Sequence, residues 1–237
     1  MIKIRNLNKK YGNHTVFEDF SIDIEKNETT VILGGSGVGK STLLNIIAKT
    51  DTDYDGMVGN LPNRISYCFQ EDRLLKWKTV IENIEFVLNK NEIKKEKIEN
   101  IMSIMGIKEI ADKNVTKISG GQMQRVAISR ALAYESEMIF LDEPFKSLDM
   151  SLKYAIIRDF AKALGSEKRG VILVTHNIDE ALLLADTIFI LGGSPAKIDG
   201  IIDIDIPKKE RKMNDKRIMK YENEIYSIIF NEKNIQI

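Results

Sequence analysis

The octapeptide Gly34-Gly35-Ser36-Gly37-Val38-Gly39-Lys40-Ser41 constrains this chain more than any other stretch. It reads as a glycine, four residues, then Gly-Lys-Ser, the P-loop spacing. The run before it, Thr29–Leu33, is short and apolar like a buried strand, and the run after it, Lys40–Ala48, has helical spacing. Glycines there let the backbone curl so that successive N–H groups point inward, a nest for phosphate oxygens. The N-terminus of the following helix adds a partial positive charge. Lys40 is placed to reach β- and γ-phosphates, Ser41 to ligate Mg²⁺, and Thr42 to add a hydroxyl near the α- and β-phosphates. A plain glycine-rich turn would need neither the lysine nor the hydroxyl.

A strand–loop–helix of this kind belongs in an α/β fold, and the rest of the chain follows suit. Strand-like and helical runs alternate: Met138–Leu141, Leu152–Leu164, Val171–Thr175, Ile178–Ala185, Thr187–Leu191. Short apolar strands between helices predict a mainly parallel sheet buried on both faces. Residues 2–25 alternate differently around a turn at Tyr11-Gly12-Asn13-His14 and read as an antiparallel hairpin at one side of that sheet. Between 78 and 118 the rhythm breaks. Val80–Leu88 and Ile93–Met105 have helical spacing and no strand signal, which predicts an inserted helical subdomain. After Pro207, the spacing of Ile218, Tyr221, Ile225, Ile228 and Ile229 predicts an amphipathic helix packed on the core.

Composition narrows the function. The chain has 237 residues, with 35 basic against 35 acidic side chains. Nucleic-acid binders carry a basic excess, so DNA or RNA is disfavoured as the main ligand. Cys68 is the only cysteine and sits in the apolar run Ile65-Ser66-Tyr67-Cys68-Phe69, which reads as a buried structural thiol. Met1-Ile2-Lys3-Ile4-Arg5 alternates like a strand rather than a signal peptide. No apolar run approaches the ~20 residues needed to cross a bilayer, so a membrane role would have to come through a partner.

Two further motifs carry chemistry. Met138-Ile139-Phe140-Leu141-Asp142-Glu143-Pro144 is a buried strand ending in two acids. Asp142 suits a metal, directly or through water, and Glu143 suits a general base acting on water. Ser119-Gly120-Gly121-Gln122 opens the helical run Met123–Ala133. Ser-x-x-Gln is a helix capping box. The cap does not explain the two glycines, which leave the backbone bare enough to touch phosphate.

With Ser-Gly-Gly-Gln lying between the P-loop and the Asp-Glu pair, the chain resembles the nucleotide-binding subunits of ABC transporters over about residues 1–205. The resemblance implies an α/β fold: a P-loop NTPase (RecA-like) core with a mainly parallel sheet, an antiparallel β region and an inserted α-helical subdomain. One ABC ATPase domain would span 1–237, with core and β region at 1–77 and 125–205, the helical subdomain at 78–124 and a helical tail at 206–237. The tail is too short for the regulatory β-domain seen on some members. The resemblance also implies that Ser119, Gly120, Gly121 and Gln122, together with Asp149 in Ser147-Leu148-Asp149, touch ATP held by the other protomer of a dimer. Tyr11 matches the aromatic residue stacked on adenine. Gln70 matches the glutamine that senses Mg²⁺ and γ-phosphate. His176, after Thr175, matches the switch histidine. His14 has no motif around it and reads as structural.

The expected cycle is a sandwich of two ATP molecules between two such chains. Both halves of each composite site are present, so a homodimer is the expected assembly. Closure and hydrolysis would drive a transmembrane permease, and through it an extracytoplasmic solute-binding protein, from the cytoplasmic face of the membrane. Gln70–Ile84, Asp142-Glu143-Pro144-Phe145 and Ile206–Arg211 resemble importer ATPases for nitrate, taurine and alkanesulfonates, and importers of pyrimidine or thiamine precursors share the pattern. In that family the Gln70–Ile84 region meets the permease. Trp77, the only tryptophan, is then either a docking anchor or a packing residue of the helical subdomain. Gly35, Lys76, Lys146 and Asn177 depart from the usual residues, and Asp51–Pro62 is short, but no catalytic group is missing. Exporter ATPases on separate chains share every catalytic motif. Soluble ABC-type ATPases of DNA repair or translation carry a long coiled coil or two cores in one chain, and neither pattern is present.

Overall fold

A computed structural model describes residues 1–89, 95–148, 150–165 and 169–231. Among the described residues, nine strands form two sheets. The larger has the order β5-β6-β7-β3-β8-β9. Its strands are β3 (Thr29–Gly34), β5 (Ile65–Cys68), β6 (Met138–Asp142), β7 (Gly170–Thr175), β8 (Thr187–Gly192) and β9 (Lys197–Asp203). All neighbours run parallel except β9, which is antiparallel to β8. The smaller sheet, β2-β1-β4, is antiparallel, with β1 (Ile2–Tyr11), β2 (His14–Ile24) and β4 (Asp55–Gly59).

The central strands show why they read as continuous apolar runs. Side chains alternate between faces along a strand, and here both faces are covered. Val31, Leu33, Ile139, Leu141, Val171 and Leu173 point into one core, shared with α4 (Gly120–Ala133), α5 (Met150–Gly165) and α6 (Ile178–Leu184). Ile32, Phe140, Ile172 and Val174 point into the other, closed by Leu43, Leu44, Ile46 and Ile47 of α1 (Lys40–Ile47) and by Ile2, Ile4 and Phe17 of the small sheet. The N-terminal hairpin therefore covers a face of the main sheet within its own three-stranded sheet, rather than extending the main sheet's side.

Two strands escape a reading by pattern. β4 is Asp-Gly-Met-Val-Gly and largely exposed; it forms because it pairs with β1 across about 50 residues of chain. β9, Lys-Ile-Asp-Gly-Ile-Ile-Asp, is an edge strand with charges and a glycine. Such residues suit edges but carry little strand signal. Strand β5 ends at Cys68, one residue before Phe69. Cys68 is buried, and burial pushes its thiol up to about 12.

The segment between β5 and α4 is helical and turn-like, with α2 (Val80–Glu85) and α3 (Lys95–Ile104). Of the expected helices, Val80–Leu88 begins at Val80 but ends at Glu85, and Ile93–Met105 ends at Ile104, while residues 93 and 94 lie outside the described residues. Thr79 and Glu82 close a capping box at the start of α2. Asn83, fully buried, takes the Leu75 N–H at 2.8 Å and donates to the carbonyls of Leu75 and Thr79, pinning the preceding loop. That loop holds Trp77 outward with 76% of its surface exposed, so it does not pack in the helical region. The C-terminal α7 (Lys216–Asn231) buries Ile218 and Ile225, with Tyr221, Ile228 and Ile229 beside them. His14 is exposed beside the hairpin turn, outside either core. No helix among the described residues is long and apolar enough to cross a membrane.

Candidate functional site

The strand order brings the motifs together. β6, β7 and β3 are consecutive neighbours and parallel, so their carboxyl ends lie side by side. Asp142 ends β6, Thr175 ends β7 and Gly34 ends β3. In open α/β sheets, ligands bind in the crevice outside those ends.

The loop from β3 to α1 has the conformation its glycines allow. Gly37 and Gly39 have φ of +81° and +107°. A Cβ on Gly39 would lie 2.7 Å from Val16 Cγ1 and 3.1 Å from Phe17 Cζ, so that glycine also lets the loop sit on the small sheet. Gly35 differs, because a Cβ there would meet nothing within 4 Å. Lys40 opens α1 and is 5% exposed. Its ammonium donates to the carbonyls of Gly34 at 2.9 Å and Gly35 at 2.7 Å. Burial lowers its pKa, opposed by Glu143 and Asp142. A desolvated cation held over a nest of N–H groups is a site for an anion.

Ser41 donates its hydroxyl to Asp142 Oδ1 at 2.9 Å. Asp142 is 5% exposed; burial raises its pKa, the Ser41 hydrogen bond opposes this, and the Glu143 charge adds to it. Two hard oxygens in contact beside a phosphate nest match the donor set Mg²⁺ takes. Gln70 is exposed in the turn after β5, at the far end of the same sheet row. Thr42 is half-buried on the first turn of α1.

Glu143 has φ +46°, a strained value for a residue with a side chain. Its N–H still bonds the Val174 carbonyl at 2.9 Å, extending the β6–β7 ladder by one residue. Its Oε1 lies 3.0 Å from His176 Nδ1. Its Oε2 is buried and has no hydrogen-bond partner among the described residues, with Lys146 Nζ at 3.4 Å. Burial pushes the Glu143 carboxyl upward, but the hydrogen bond and charge of His176, with Lys146, hold it below its ordinary value. His176 is set by the turn it occupies. Thr175 donates to Glu180 at 2.6 Å and accepts the Asn177 N–H at 3.0 Å, and Asn177 caps α6. Asn177, one of the departures from the family pattern, does this capping through its amide oxygen.

The capping box at Ser119 is real: Ser119 Oγ accepts the Gln122 N–H at 3.3 Å, and Gln122 Oε1 accepts the Ser119 N–H at 2.9 Å. Gly120 is exposed, and a Cβ there would meet nothing within 4 Å, whereas one on Gly121 would lie 3.2 Å from the Ser147 carbonyl. So the cap and the bare backbone coexist. Asp149 lies outside the described residues.

Some neighbours of the site were not foreseen from sequence. Gln124 donates to the Glu143 carbonyl at 3.3 Å and accepts the Ser147 N–H at 2.8 Å, tying α4 to the loop after β6. Lys9 and Asp51 contact Tyr11. The Gln124 links and the Asp51 link join residues far apart in sequence, so no local pattern announces them. Lys9 alone left a trace, as a lysine at an inward position of an alternating strand.

A phosphate nest, a buried lysine and a carboxylate pair at the carboxyl ends of a parallel sheet define a P-loop nucleotide hydrolase. Comparison with known proteins narrows this. The family model described as ABC transporter matches residues 17–146. The chain is 35% identical over 212 residues to the aliphatic sulfonates import ATP-binding protein SsuB of Corynebacterium glutamicum, covering 88% of this chain and 86% of that one. It is 37% identical to the Fe(3+) ions import ATP-binding protein FbpC 2 of Haemophilus influenzae, covering 88% of this chain and 62% of the relative. A dimeric structure of MJ0796, a bacterial ABC transporter cassette, superposes with a TM-score of 0.75 at 27% identity, covering 86% of this chain and 98% of that one. A post-hydrolysis state of that ATP-binding cassette, bound to ADP and Pi, gives 0.74. The chain belongs to the ABC transporter family as an ATP-binding subunit, and it is an ATPase.

Proposed function

We propose that this chain is the ATP-hydrolysing motor of an importer for a small solute of the sulfonate, taurine or nitrate class, working as a homodimer on the cytoplasmic face of a membrane against a permease. One observation carries the reading: the loop lysine, the Ser41–Asp142 pair and the Glu143–His176 pair meet at the ends of three adjacent strands. The sulfonate and iron import relatives support import. The exposed Trp77, held out by the pinned loop, supports a permease docking at that region. A solute-binding protein would supply the cargo from the other side.

In this reading the N–H groups of Gly34–Gly39 and Lys40 hold the β- and γ-phosphates, and Thr42 holds the α/β end. Tyr11 stacks on the adenine. Ser41, Asp142 and Gln70 hold Mg²⁺, which when bound neutralises charge on the phosphate oxygens. Glu143 receives a proton from water as the water oxygen bonds to the γ-phosphorus and the bond to the ADP oxygen breaks. Its Oε2 is the oxygen for that proton, because Oε1 is committed to His176. His176 fixes the carboxylate and faces the γ-phosphate. Ser119, Gly120, Gly121 and Gln122 of the second chain, with its Asp149, close the site. Bare backbone at Gly35 and Gly120 leaves room for phosphate between the two chains.

The test is Mg-ATP turnover of the purified protein against protein concentration. Composite sites predict a rate that rises more than linearly. A rate strictly proportional to concentration would refute shared sites.

A further inference from the structure

Tyr11 ends β1 half exposed, yet its ring is not free to turn. Its hydroxyl donates to Asp51 Oδ2 at 2.6 Å. One face of the ring carries the Lys9 ammonium, 4.6 Å from the ring centre. Lys9 is 3% exposed, at an inward position of β1 where an apolar residue would be expected. Lysine is almost never so buried unless paired. Here the ammonium bonds Asp51 Oδ1 at 2.9 Å and the Asp53 carbonyl at 2.5 Å, and lies 3.3 Å from Asp53 Oδ2. Asp51 therefore uses one oxygen on Lys9 and the other on Tyr11. Asp51 and Asp53 follow α1, the helix that opens with Lys40 and Ser41, so the ring is tied to the element that carries the phosphate nest.

A buried ion pair is a weak source of net stability compared with apolar packing, so this one calls for another role. We propose that Lys9 and Asp51 are positioning residues forming a clamp, which fixes the Tyr11 ring with one face backed by a cation and the other open to a purine. The inference rests on the stacking role given to Tyr11 above and adds how that subsite is made ready. A ring free to rotate must be ordered each time a base binds, whereas a clamped ring is ordered by folding. Ordering one side chain is worth about threefold to tenfold in affinity. The ammonium is a cation at neutral pH: burial alone would lower its pKa, but the bonds to Asp51 and Asp53 outweigh that and raise it.

The experiment compares two ligands, ATP and inorganic tripolyphosphate, by calorimetry. Tripolyphosphate fills the phosphate nest and has no base. Asp51→Asn and Tyr11→Phe are expected to weaken ATP about threefold to tenfold and to leave tripolyphosphate unchanged. Tyr11→Phe removes only the hydroxyl of a half-exposed residue and with it the bond to Asp51, so it keeps the test decisive if Asp51→Asn folds poorly. If both variants bind ATP like the parent while Tyr11→Ala binds it worse, the clamp is wrong and stacking stands. If Tyr11→Ala leaves the ratio of ATP to tripolyphosphate affinity unchanged, the stacking reading falls and the clamp falls with it. If Asp51→Asn weakens both ligands equally, Asp51 is merely structural and the proposal is overturned.

Discussion

Replacing Glu143 with glutamine separates chemistry from architecture in this site. The substitution removes one negative charge and keeps the shape. Oε1 faces His176 at 3.0 Å, and an amide oxygen can stay there. The charge lost is the one facing Lys146, which lies 3.4 Å away with half its side chain exposed. An ion pair so screened is worth at most about 1 kcal/mol, which for a chain of this size is about 2–4 °C in Tm. The Lys40 and Ser41 contacts are untouched. Loss of a general base costs about 10²- to 10⁴-fold in rate, or about 2.7–5.5 kcal/mol of barrier. Glu143→Gln should therefore keep its Tm within about 4 °C, bind ATP normally, lose at least ~10²-fold in turnover and accumulate as an ATP-bound dimer in size-exclusion chromatography with light scattering. The sign of the pH effect follows from the lowered pKa of Glu143. The small stability it contributes is present above the unfolded carboxyl pKa of about 4.3 and is lost as pH falls through the folded value, so the Tm gap between parent and variant should close in acid. Near-normal turnover in the variant would refute Glu143 as the base, and a collapsed fold without ATP binding would show the residue to be structural.

The glycines of the loop should divide. Gly39→Ala meets Val16 and Phe17 at a positive φ and should lose about 2–6 kcal/mol in thermal melts, while Gly35→Ala should melt like the parent and bind ATP more weakly; equal melting of the two would contradict the packing. Asp142→Asn should raise the Tm of the nucleotide-free protein at pH 7 while abolishing turnover. Burial raises the Asp142 pKa, so the ionised carboxylate costs stability at pH values above the unfolded carboxyl pKa of about 3.9, and the amide removes that cost. A lower Tm would mean the pair with Ser41 outweighs burial. Ser119→Arg loses a helix cap worth about 1 kcal/mol and should melt slightly earlier, but its ATPase activity should vanish; intact activity would leave the cap as the residue's whole role.

The sequence by itself determined what depends on neighbours along the chain. Four glycines, a lysine and a serine in one loop specify a phosphate nest whatever lies beyond it. Runs such as Val171–Val174, apolar at every position, announce strands covered on both faces, because only such strands have no polar side. Ser119 and Gln122 are a cap by spacing alone. The tertiary structure decided what depends on residues meeting across the fold. Strands β4 and β9 exist because partners satisfy their backbones, with side chains too polar and too rich in glycine to say so. Trp77 could pack or protrude until Asn83 fixed the loop that carries it. Glu143 could have used either oxygen until His176, from the next strand, took one. Lys9 was one more basic residue in a strand until Asp51, 42 positions away, held it under the ring of Tyr11. A hydrogen bond between distant segments has no period and no local propensity, so only the packed chain reveals it.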